Sequence, residues 1–460
     1  MIDLGSLRSV RDWANLDLLT LPTRTRAAVI GLAVSVVALA FALAYLVYHR
    51  YGAPANEYDL KIYYNALTQW RSGGQLYDYS QYDAVNGYLY FTYPPAAAML
   101  MSPMTVLPIP SVVALSSVAI LGGTVALVLL SVRERVSLRR PQLAVLTAVA
   151  TAGALCLQPI SQTAAYGQVN IFLALLVMFD VFVLGKRGSR WAGIGIGLAT
   201  AVKLTPAIFL LYLVLSGNWR MLRTALATAA GVTVLAALAA PAATWQYFTS
   251  LLWDSSRVGV LDNIANQSLN GTLARFADPL PPEKTAWLLG CVLVVVMGSL
   301  RIRRAVAAGD TLLAVTVTGF LGVLISPVSW IHHAVWIAPA MVLLVSRLIA
   351  TFPLRLFRLL AAAPAAYRTL AGDDRRQVRA WLGIATLTVT GLLAFVLNTR
   401  NAFGLPDTDY SALGIGSVLA GSVQTLWMLA AVALLPVSAA VAGVRSGAGL
   451  RAGQPARVQF

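Results

Sequence analysis

The stretch "AAVIGLAVSVVALAFALAYLVY", residues 27–48, decides the fold class. It carries no charged side chain, and it is longer than the about 20 apolar residues that a helix needs to cross a bilayer. It is also too long for the core of a signal peptide, and no small-residue cleavage site leading into a soluble chain follows it. We therefore expect a retained first membrane span.

The composition extends this interpretation to the whole chain. Of the 460 residues, 58% are hydrophobic and 11% are charged, a balance that would leave a soluble domain with an apolar surface. The sequence therefore predicts a polytopic, all-α membrane protein in a single domain, residues 1–460. The net charge of +16 does not indicate nucleic-acid binding, because the arginines lie in short clusters between apolar runs.

The two cysteines indicate neither a disulfide framework nor a zinc site. Cys156 and Cys291 each lie in an apolar stretch with no metal-ligand spacing around them. The sequence also lacks a Walker A loop, a G-x-S-x-G elbow and an H-E-x-x-H motif. ATP-driven transport and zinc proteolysis are therefore disfavoured.

Clusters of arginine and lysine predict the orientation of the chain. By the positive-inside rule they lie in the cytoplasm, so each segment between two clusters leaves the membrane and returns. At about 20 residues a span, this gives roughly twelve transmembrane helices of a plasma-membrane protein with both termini in the cytoplasm. The clusters are Arg24 with Arg26, residues 133–140, residues 185–190, Arg220 with Arg223, residues 301–304, and a basic loop at 347–380.

Two long extracytoplasmic loops are predicted, at 49–95 and 242–285. The first is rich in tyrosine, tryptophan and aspartate, which favours short interfacial helices on the bilayer surface. Prolines within residues 94–131 predict a short helix followed by one span. The motif "KLTP" at 203–206 predicts a break between two half-helices.

Asp59, shortly after the first span, is a candidate general base. If a helix begins near residue 56, Asp59 shares a face with Tyr63, which places the carboxylate beside an aromatic ring at the membrane boundary. A carboxylate with a raised pKa could there accept the proton of a sugar hydroxyl. The alternative is a solvated acid that is favoured by the start of the helix.

The motif "SPVSWIHH", residues 326–333, supplies the second candidate. His332 and His333 lie at a predicted outer junction between a loop and a helix, where an imidazole can donate to phosphate oxygens or protonate a leaving group. Adjacent side chains on a helix point about 100° apart, so we expect only one of them to face the site and favour His332. The alternative is a pair of interfacial anchors.

Outer cations and polar side chains complete the predicted site. Lys203 at the helix break and Arg257 suit a lipid-linked phosphate, although Lys203 could instead reach the membrane surface or pair with a carboxylate. Amide, hydroxyl and aromatic side chains suit sugar hydroxyls and sugar rings. These predicted sugar- or acceptor-binding residues are Tyr63, Tyr93, Gln168, Asn170, Asn266, Gln267, Ser329 and Trp330.

Several segments, taken in order, resemble one family. They are "YDLKIYYNALTQWRSGGQLYDY", "YFTYPP", "GQVNIFLALLV", "GLATAVKLTPAIFLLYL", "NQSLNG" and "SPVSWIHH". They are similar to the actinobacterial polyprenyl-phosphate-mannose-dependent α-1,2-mannosyltransferases of glycosyltransferase family 87. The resemblance implies a GT-C membrane fold, a polyprenyl-phosphate-mannose donor, and a phosphatidylinositol mannoside, lipomannan or lipoarabinomannan acceptor at the outer face of the plasma membrane.

The resemblance also implies an inverting reaction. Asp59 would deprotonate the acceptor hydroxyl, which attacks the anomeric carbon in line with the departing polyprenyl phosphate. Lys203, Arg257 and a histidine would stabilise the leaving phosphate, and the scheme needs no metal or cofactor. We expect a monomer in contact with membrane lipids and no nucleic acid.

Two other functions remain open. The actinobacterial arabinofuranosyltransferases resemble this layout, so Asp59 and residues 93–95 do not separate mannose from arabinose, although "SPVSWIHH" favours mannose. A lipid-linked sugar flippase or other transporter would bind with the same groups without reacting. Such a transporter should carry charged groups at mid-membrane in several spans, whereas the predicted spans are almost free of acids. The choice between a phosphatidylinositol mannoside and a lipomannan acceptor also stays open.

Overall fold

The computed structural model describes residues 22–51, 56–352 and 372–437, which form a bundle of helices with one small sheet. Both predicted cytoplasmic termini, at 1–21 and 438–460, lie outside the described residues. So do residues 52–55 of the first predicted outer loop and residues 353–371, which make up most of the predicted basic loop.

The described part of the chain is mostly α-helical. Short turns of 3₁₀ or π helix join or extend several helices, and the ones near the site are given where they are used. In chain order the α-helices are α1 (Thr23–Tyr51), α2 (Tyr58–Arg71), α3 (Pro95–Met101), α4 (Ile109–Arg133), α5 (Arg140–Leu155), α6 (Gln158–Tyr166), α7 (Asn170–Phe179), α8 (Ile194–Val202), α9 (Ile208–Leu215), α10 (Trp219–Ala239), α11 (Pro241–Thr249), α12 (Leu269–Ala277), α13 (Lys284–Ala307), α14 (Thr311–Ile325), α15 (Ile337–Ala350), α16 (Gly372–Val396), α17 (Thr399–Phe403), α18 (Ile415–Gly421) and α19 (Val423–Leu434).

Five described helices are long and apolar enough to cross a membrane: α1, α4, α10, α13 and α16. Two bent pairs, α5 with α6 at 77° and α18 with α19 at 68°, raise the number to as many as seven. The prediction of a multi-pass helical membrane protein is therefore confirmed. The number of about twelve spans is not, because several predicted spans are helices of only 10–17 residues.

The break predicted at "KLTP" is present. Helix α8 ends at Val202, a 3₁₀ turn covers Thr205–Ala207, and α9 begins at Ile208. Lys203 itself is extended, with φ −149° and ψ 135°, so the helical path is interrupted at this residue. Pro206, which cannot donate a main-chain hydrogen bond, follows within the next turn. The interruption frees the Lys203 side chain from the helix surface.

The first outer loop differs from the expected set of interfacial helices. Helix α2 is followed by an antiparallel hairpin of β1 (Ser80–Asp83) and β2 (Gly87–Tyr90). The loop between the strands has three residues and ends at Gly87, whose φ of +73° is the left-handed conformation that such a loop requires. The Asp83 carboxylate accepts hydrogen bonds from the main-chain N–H groups of Val85 and Asn86, which closes the turn. The all-α prediction is therefore wrong for this segment, because the turn chemistry was overlooked.

Two apolar clusters position the site. The larger one surrounds α14, whose residues from Leu312 to Leu324 are all buried. Gly319 allows the Trp336 ring to lie against the α14 backbone, because an added Cβ would come within 2.2 Å of that ring. The smaller cluster joins α2 to the hairpin and α11 through aromatic rings, including those of Tyr63 and Tyr93. The site lies where these two clusters meet.

Candidate active site

A cavity of about 1210 Å³ lies between α2, the hairpin, the turn between α6 and α7, the break between α8 and α9, and the loops around residues 251–263 and 325–333. Segments from distant parts of the chain therefore contribute side chains to a single space. The predicted site residues that line this space are Asp59, Tyr63, Tyr93, Gln168, Lys203, Arg257, Trp330, His332 and His333.

Asp59 lies in the first turn of α2 and faces the cavity. Gly167 allows α2 to approach the turn that follows α6, since an added Cβ there would lie 2.6 Å from the Leu60 Cβ. The next residue, Gln168, then donates a hydrogen bond of 2.6 Å from Nε2 to Asp59 Oδ2. The other carboxylate oxygen has no hydrogen-bond partner among the described residues, so it is available to a substrate hydroxyl.

The surroundings of Asp59 raise its pKa. Burial, which disfavours the charged form, raises the pKa of Asp59 from 3.8 to about 6. The hydrogen bond from Gln168 and the charge of Lys203 lower it, and the nearby Asp83 carboxylate raises it. A carboxylate with a pKa near 6 is ionised at neutral pH yet basic enough to accept a proton in a transition state.

A chain of polar contacts connects Asp59 to the middle of the smaller cluster. Gln168 Oε1 accepts a hydrogen bond of 3.1 Å from the Tyr93 hydroxyl, which lies 3.0 Å from the Tyr63 hydroxyl. Both tyrosines are buried, and burial holds the pKa of each well above its ordinary value. The two phenols therefore stay protonated and fix the orientation of Gln168.

The Lys203 ammonium has three acceptors around it. Its Nζ lies 3.0 Å from Asn170 Oδ1, 3.1 Å from His333 Nε2 and 3.4 Å from the Tyr93 hydroxyl. An ammonium group has three hydrogens and no acceptor, so these contacts orient it fully. Asn170 does not line the main cavity, but its side-chain oxygen accepts a hydrogen bond from Lys203.

The two histidines have different surroundings. His333 Nε2 accepts from Lys203, so its proton lies on Nδ1. His332 is 5% exposed, lines the cavity and has no hydrogen-bond partner at Nε2. Burial and the charge of Lys203 hold the pKa of each imidazole well below its usual range, so both rings are neutral at pH 7.

Arg257 lies on a different wall of the cavity from Lys203. It donates a hydrogen bond of 2.6 Å to the main-chain oxygen of Tyr77, and its guanidinium lies 3.8 Å from the centre of the Tyr90 ring. The guanidinium has five N–H donors, and the described structure engages one of them. The others are available to an anion in the cavity.

Besides Asn170, three predicted sugar-binding residues do not line the cavity. Asn266 is fully buried, and its Oδ1 accepts from the main-chain N–H of Ser329 at 2.9 Å. Gln267 bonds to main-chain groups of its own loop and of Gly421, and it accepts from Thr425. The Ser329 hydroxyl is buried without a partner. The Asn266 side chain therefore holds the histidine-bearing loop in place, and the Gln267 side chain joins its own loop to α18 and α19.

A buried arginine that the sequence did not single out supports the neighbouring loop at 262–266. Arg275 is 1% exposed and donates to the main-chain oxygens of Asn263 at 2.9 Å and Asn266 at 3.1 Å. It also donates to the Ser422 hydroxyl. Nothing in the local sequence distinguishes Arg275 from a surface arginine at the end of a helix.

Polar residues of the hairpin were also missed. Asp83 and Asn86 both line the cavity. The Asn86-Gly87 pair is a recognisable hairpin signal, and it could have placed them at the tip of a loop that folds back over the site.

The described residues, 22–51, 56–352 and 372–437, contain no group of three His, Cys, Asp or Glu side chains that could hold a metal ion. The expectation that the reaction needs no metal stays a prediction.

Comparison with known proteins identifies the family. A model described as glycosyltransferase family 87 matches residues 91–327, just over half of the chain. The chain belongs to glycosyltransferase family 87. The family 87 match includes Gln168, Lys203 and Arg257, whereas Asp59 precedes it and the histidine pair follows it.

Curated relatives agree with the family 87 assignment. The polyprenol-phosphate-mannose-dependent α-(1-2)-phosphatidylinositol mannoside mannosyltransferase of Mycobacterium tuberculosis is 34% identical over 66% of this chain and 73% of its own length. The enzyme of that name from Mycolicibacterium smegmatis is 33% identical, over 62% and 68%. A phosphatidylinositol pentamannoside mannosyltransferase of Mycolicibacterium smegmatis is 32% identical, over 62% and 69%.

Among solved structures, ArnT from Cupriavidus metallidurans bound to undecaprenyl phosphate covers 88% of this chain and 77% of its own, with a TM-score of 0.36 and 17% identity.

Proposed function

We propose that this protein transfers mannose from polyprenyl-phosphate-mannose to a hydroxyl of a mannolipid, forming an α-1,2 linkage. The observation that carries the proposal is that Asp59 and Lys203 line the same cavity in a family 87 protein. A base and a cation in one cavity are what glycosyl transfer from a lipid phosphate requires. The relatives named for this donor and linkage support the choice of mannose over arabinose.

In this reaction Asp59 acts as the general base. Its free carboxylate oxygen accepts the proton of the acceptor 2-hydroxyl as that oxygen bonds to the anomeric carbon of the donor. The bond between the anomeric carbon and the phosphate oxygen breaks, and polyprenyl phosphate leaves with the electron pair. Attack from the opposite face converts the β-linked donor into an α-linked product.

Lys203 stabilises the leaving phosphate. Its longest contact, 3.4 Å to the Tyr93 hydroxyl, is the one that a phosphate oxygen would most easily replace. Asn170 and His333 then hold the ammonium in place while negative charge develops on the phosphate. Arg257 supplies a second cation for an anionic lipid headgroup in the cavity.

We assign different roles to the two histidines. His333 already bonds to Lys203, so it acts as a positioning residue for the ammonium. His332 lines the cavity and its buried Nε2 has no hydrogen-bond partner among the described residues, so we assign this nitrogen to a substrate oxygen. Both imidazoles are neutral, and a phosphate leaving group does not need protonation by an acid.

We also propose that the site faces the outer side of the plasma membrane, with both termini in the cytoplasm. Helix α7 begins beside the site at Asn170, and the turn at its far end leads to Lys186, which bonds to Glu134. Helix α14 runs in the opposite direction. It begins after Asp310, which pairs with Arg135, and it ends beside the cavity. Lys186 and Arg135 thus lie at helix ends away from the site, and by the positive-inside rule we assign those ends to the cytoplasmic side.

The proposal includes a GT-C type of membrane fold, a monomer, and a reaction without metal or cofactor. Family membership supports the first of these. The scheme above accounts for the proton and for the phosphate charge with side chains alone. Either a phosphatidylinositol mannoside or a lipomannan fits the acceptor class.

The test is transfer by the purified full-length protein in lipid nanodiscs. Radiolabelled polyprenyl-phosphate-mannose is supplied with a phosphatidylinositol mannoside, and the product is digested with an α-1,2-specific mannosidase. We expect a labelled lipid that this enzyme cleaves, and Asp59→Asn should reduce the rate about 10²–10⁴-fold. Transfer from polyprenyl-phosphate-arabinose instead, or no transfer to any mannolipid, would contradict the proposal.

A further inference from the structure

The hairpin places the carboxylate of Asp83 at the cavity, and only one of its two oxygens is engaged in hydrogen bonds. Asp83 Oδ1 accepts three hydrogen bonds, from the main-chain N–H groups of Val85 and Asn86 and from Asn86 Nδ2, at distances of 2.7–3.0 Å. Asp83 Oδ2 has no partner among the described residues, and Asp83 lines the cavity. One oxygen therefore closes the turn, and the other is available to a ligand.

The hairpin is connected to the second outer loop beside Trp330. Asn86 Oδ1 accepts hydrogen bonds of 3.2 Å from both Val260 N and Asn263 Nδ2. Gly259, with φ +124°, lies against both the hairpin and Trp330. An added Cβ would be 2.7 Å from the Trp330 ring and 2.8 Å from Asn86 Oδ1. The amide of Asn86 and the indole of Trp330 are thus neighbours on one wall of the cavity.

This wall is joined to α2 at the residue before Asp59. The Tyr58 hydroxyl, from the residue before Asp59, donates a hydrogen bond of 3.0 Å to the main-chain oxygen of Gln81, two residues before Asp83. On the other side, Asp59 connects through Gln168 and Tyr93 to Lys203. Asp59 therefore connects both to Lys203 and, through its neighbour Tyr58, to the hairpin that carries Asp83 and Asn86.

The chemistry of Asp83, Asn86 and Trp330 suits a neutral sugar. A free carboxylate oxygen repels phosphate but accepts hydrogen bonds from hydroxyl groups, and such charge-assisted bonds are among the stronger ones. Asn86 Nδ2 retains one N–H for a sugar oxygen. The Trp330 ring offers an apolar surface to the C–H face of a pyranose.

We propose that Asp83, Asn86 and Trp330 form the subsite that holds the acceptor's terminal mannose, with its 2-hydroxyl directed at Asp59. The proposal rests on the function proposed above, since it names the substrate that this wall receives. Lys203 then receives the donor phosphate, and Asp59 lies between the two substrates.

The isosteric variant Asp83→Asn tests the subsite. Its amide oxygen can still accept the three hydrogen bonds of the turn, so the change is confined to the free oxygen, which becomes an NH₂ donor. With the donor saturating, we expect the acceptor KM to rise about tenfold or more, while the donor KM stays within about twofold. The matched control is Asp78→Asn, because Asp78 is exposed, precedes the same hairpin and lies outside the cavity.

Acceptor binding in the absence of donor separates this proposal from the proposed function. The Kd of a phosphatidylinositol mannoside is measured by calorimetry for the full-length wild type, Asp83→Asn and Asp78→Asn, with the melting temperature as a check of folding. Weaker binding by Asp83→Asn alone supports the subsite. Equal Kd and acceptor KM in both variants, or a rise in the donor KM instead, would overturn it. A wild type that binds the acceptor but transfers no mannose would refute the function and leave the subsite standing.

Discussion

Gln168 donates a hydrogen bond of 2.6 Å to Asp59, and the two residues are 109 positions apart in the chain. The bond stabilises the ionised carboxylate and so opposes the effect of burial on its pKa. Replacing Gln168 with Ala should therefore raise the pKa of Asp59 above about 6. We expect the acid side of the pH profile of kcat/KM to move to higher pH.

Gln162→Ala is the control for this shift, because Gln162 lines the same cavity without a hydrogen bond to Asp59. Its pH profile should match that of the wild type. An unmoved profile for Gln168→Ala would mean that the hydrogen bond does not tune the base.

The wild-type activity should depend on pH through Asp59. The carboxylate must be ionised to accept a proton, and its pKa is raised to about 6, so kcat/KM should fall as the pH decreases through about 6. Burial lowers the pKa of Lys203 from 10.5 to about 7, so kcat/KM should also fall at higher pH, where the ammonium loses its charge. Initial rates of mannose transfer between pH 5 and pH 8 measure this directly. A profile that does not fall between pH 7 and pH 5 would contradict the role of Asp59 as the general base.

Removal of the Lys203 charge should impair the chemical step. Lys203→Gln leaves the departing phosphate without its ammonium partner, so we expect kcat to fall about 10²–10³-fold. Lys61→Gln removes a charge from α2 outside the cavity and should leave kcat near the wild-type value. Single-turnover kinetics distinguish a slower chemical step from slower product release. Equal kcat values in the two variants would contradict the role of Lys203.

The two histidines should respond differently to substitution. His333→Gln keeps an acceptor for Lys203, whereas His333→Leu does not, so the first variant should retain much more activity than the second. His332→Ala removes an imidazole that lines the cavity and should lower kcat/KM more than about tenfold. If activity survives in both His332→Ala and His333→Leu, the pair is structural.

Arg275 should matter for stability. Arg275→Met leaves the buried main-chain oxygens of Asn263 and Asn266 without this donor, and each unpaired buried group costs about 1–3 kcal/mol. The melting temperature in detergent should therefore fall clearly below that of Arg303→Met, which removes a charge from an exposed position. Equal melting temperatures would show that the carbonyl groups find other partners.

Some features could be predicted locally. The length and apolarity of residues 27–48 predicted a span, and α1 covers this segment. Pro206 in "KLTP" predicted the break that frees Lys203. Such features depend on bilayer thickness or on the backbone of a few neighbouring residues, so a short stretch of sequence contains the necessary information.

Features that depend on distant partners could not be predicted in this way. Asn266 and Gln267 have side chains suited to sugars, yet their partners, Ser329 and Thr425, come from other parts of the chain and direct them inward. Asp83 looked like a loop residue, and only the packing of the hairpin against the second outer loop places it in the cavity.

The sequence by itself determined that this protein is a multi-pass membrane protein of helices, that its chain breaks at Lys203, and that it resembles family 87. Only the tertiary structure decided which polar side chains reach the cavity and which hold its walls. The physical reason is that hydropathy and helix breaks act over about 20 residues, whereas the direction of a side chain is set by hydrogen bonds between segments more than a hundred residues apart, such as Gln168 with Asp59.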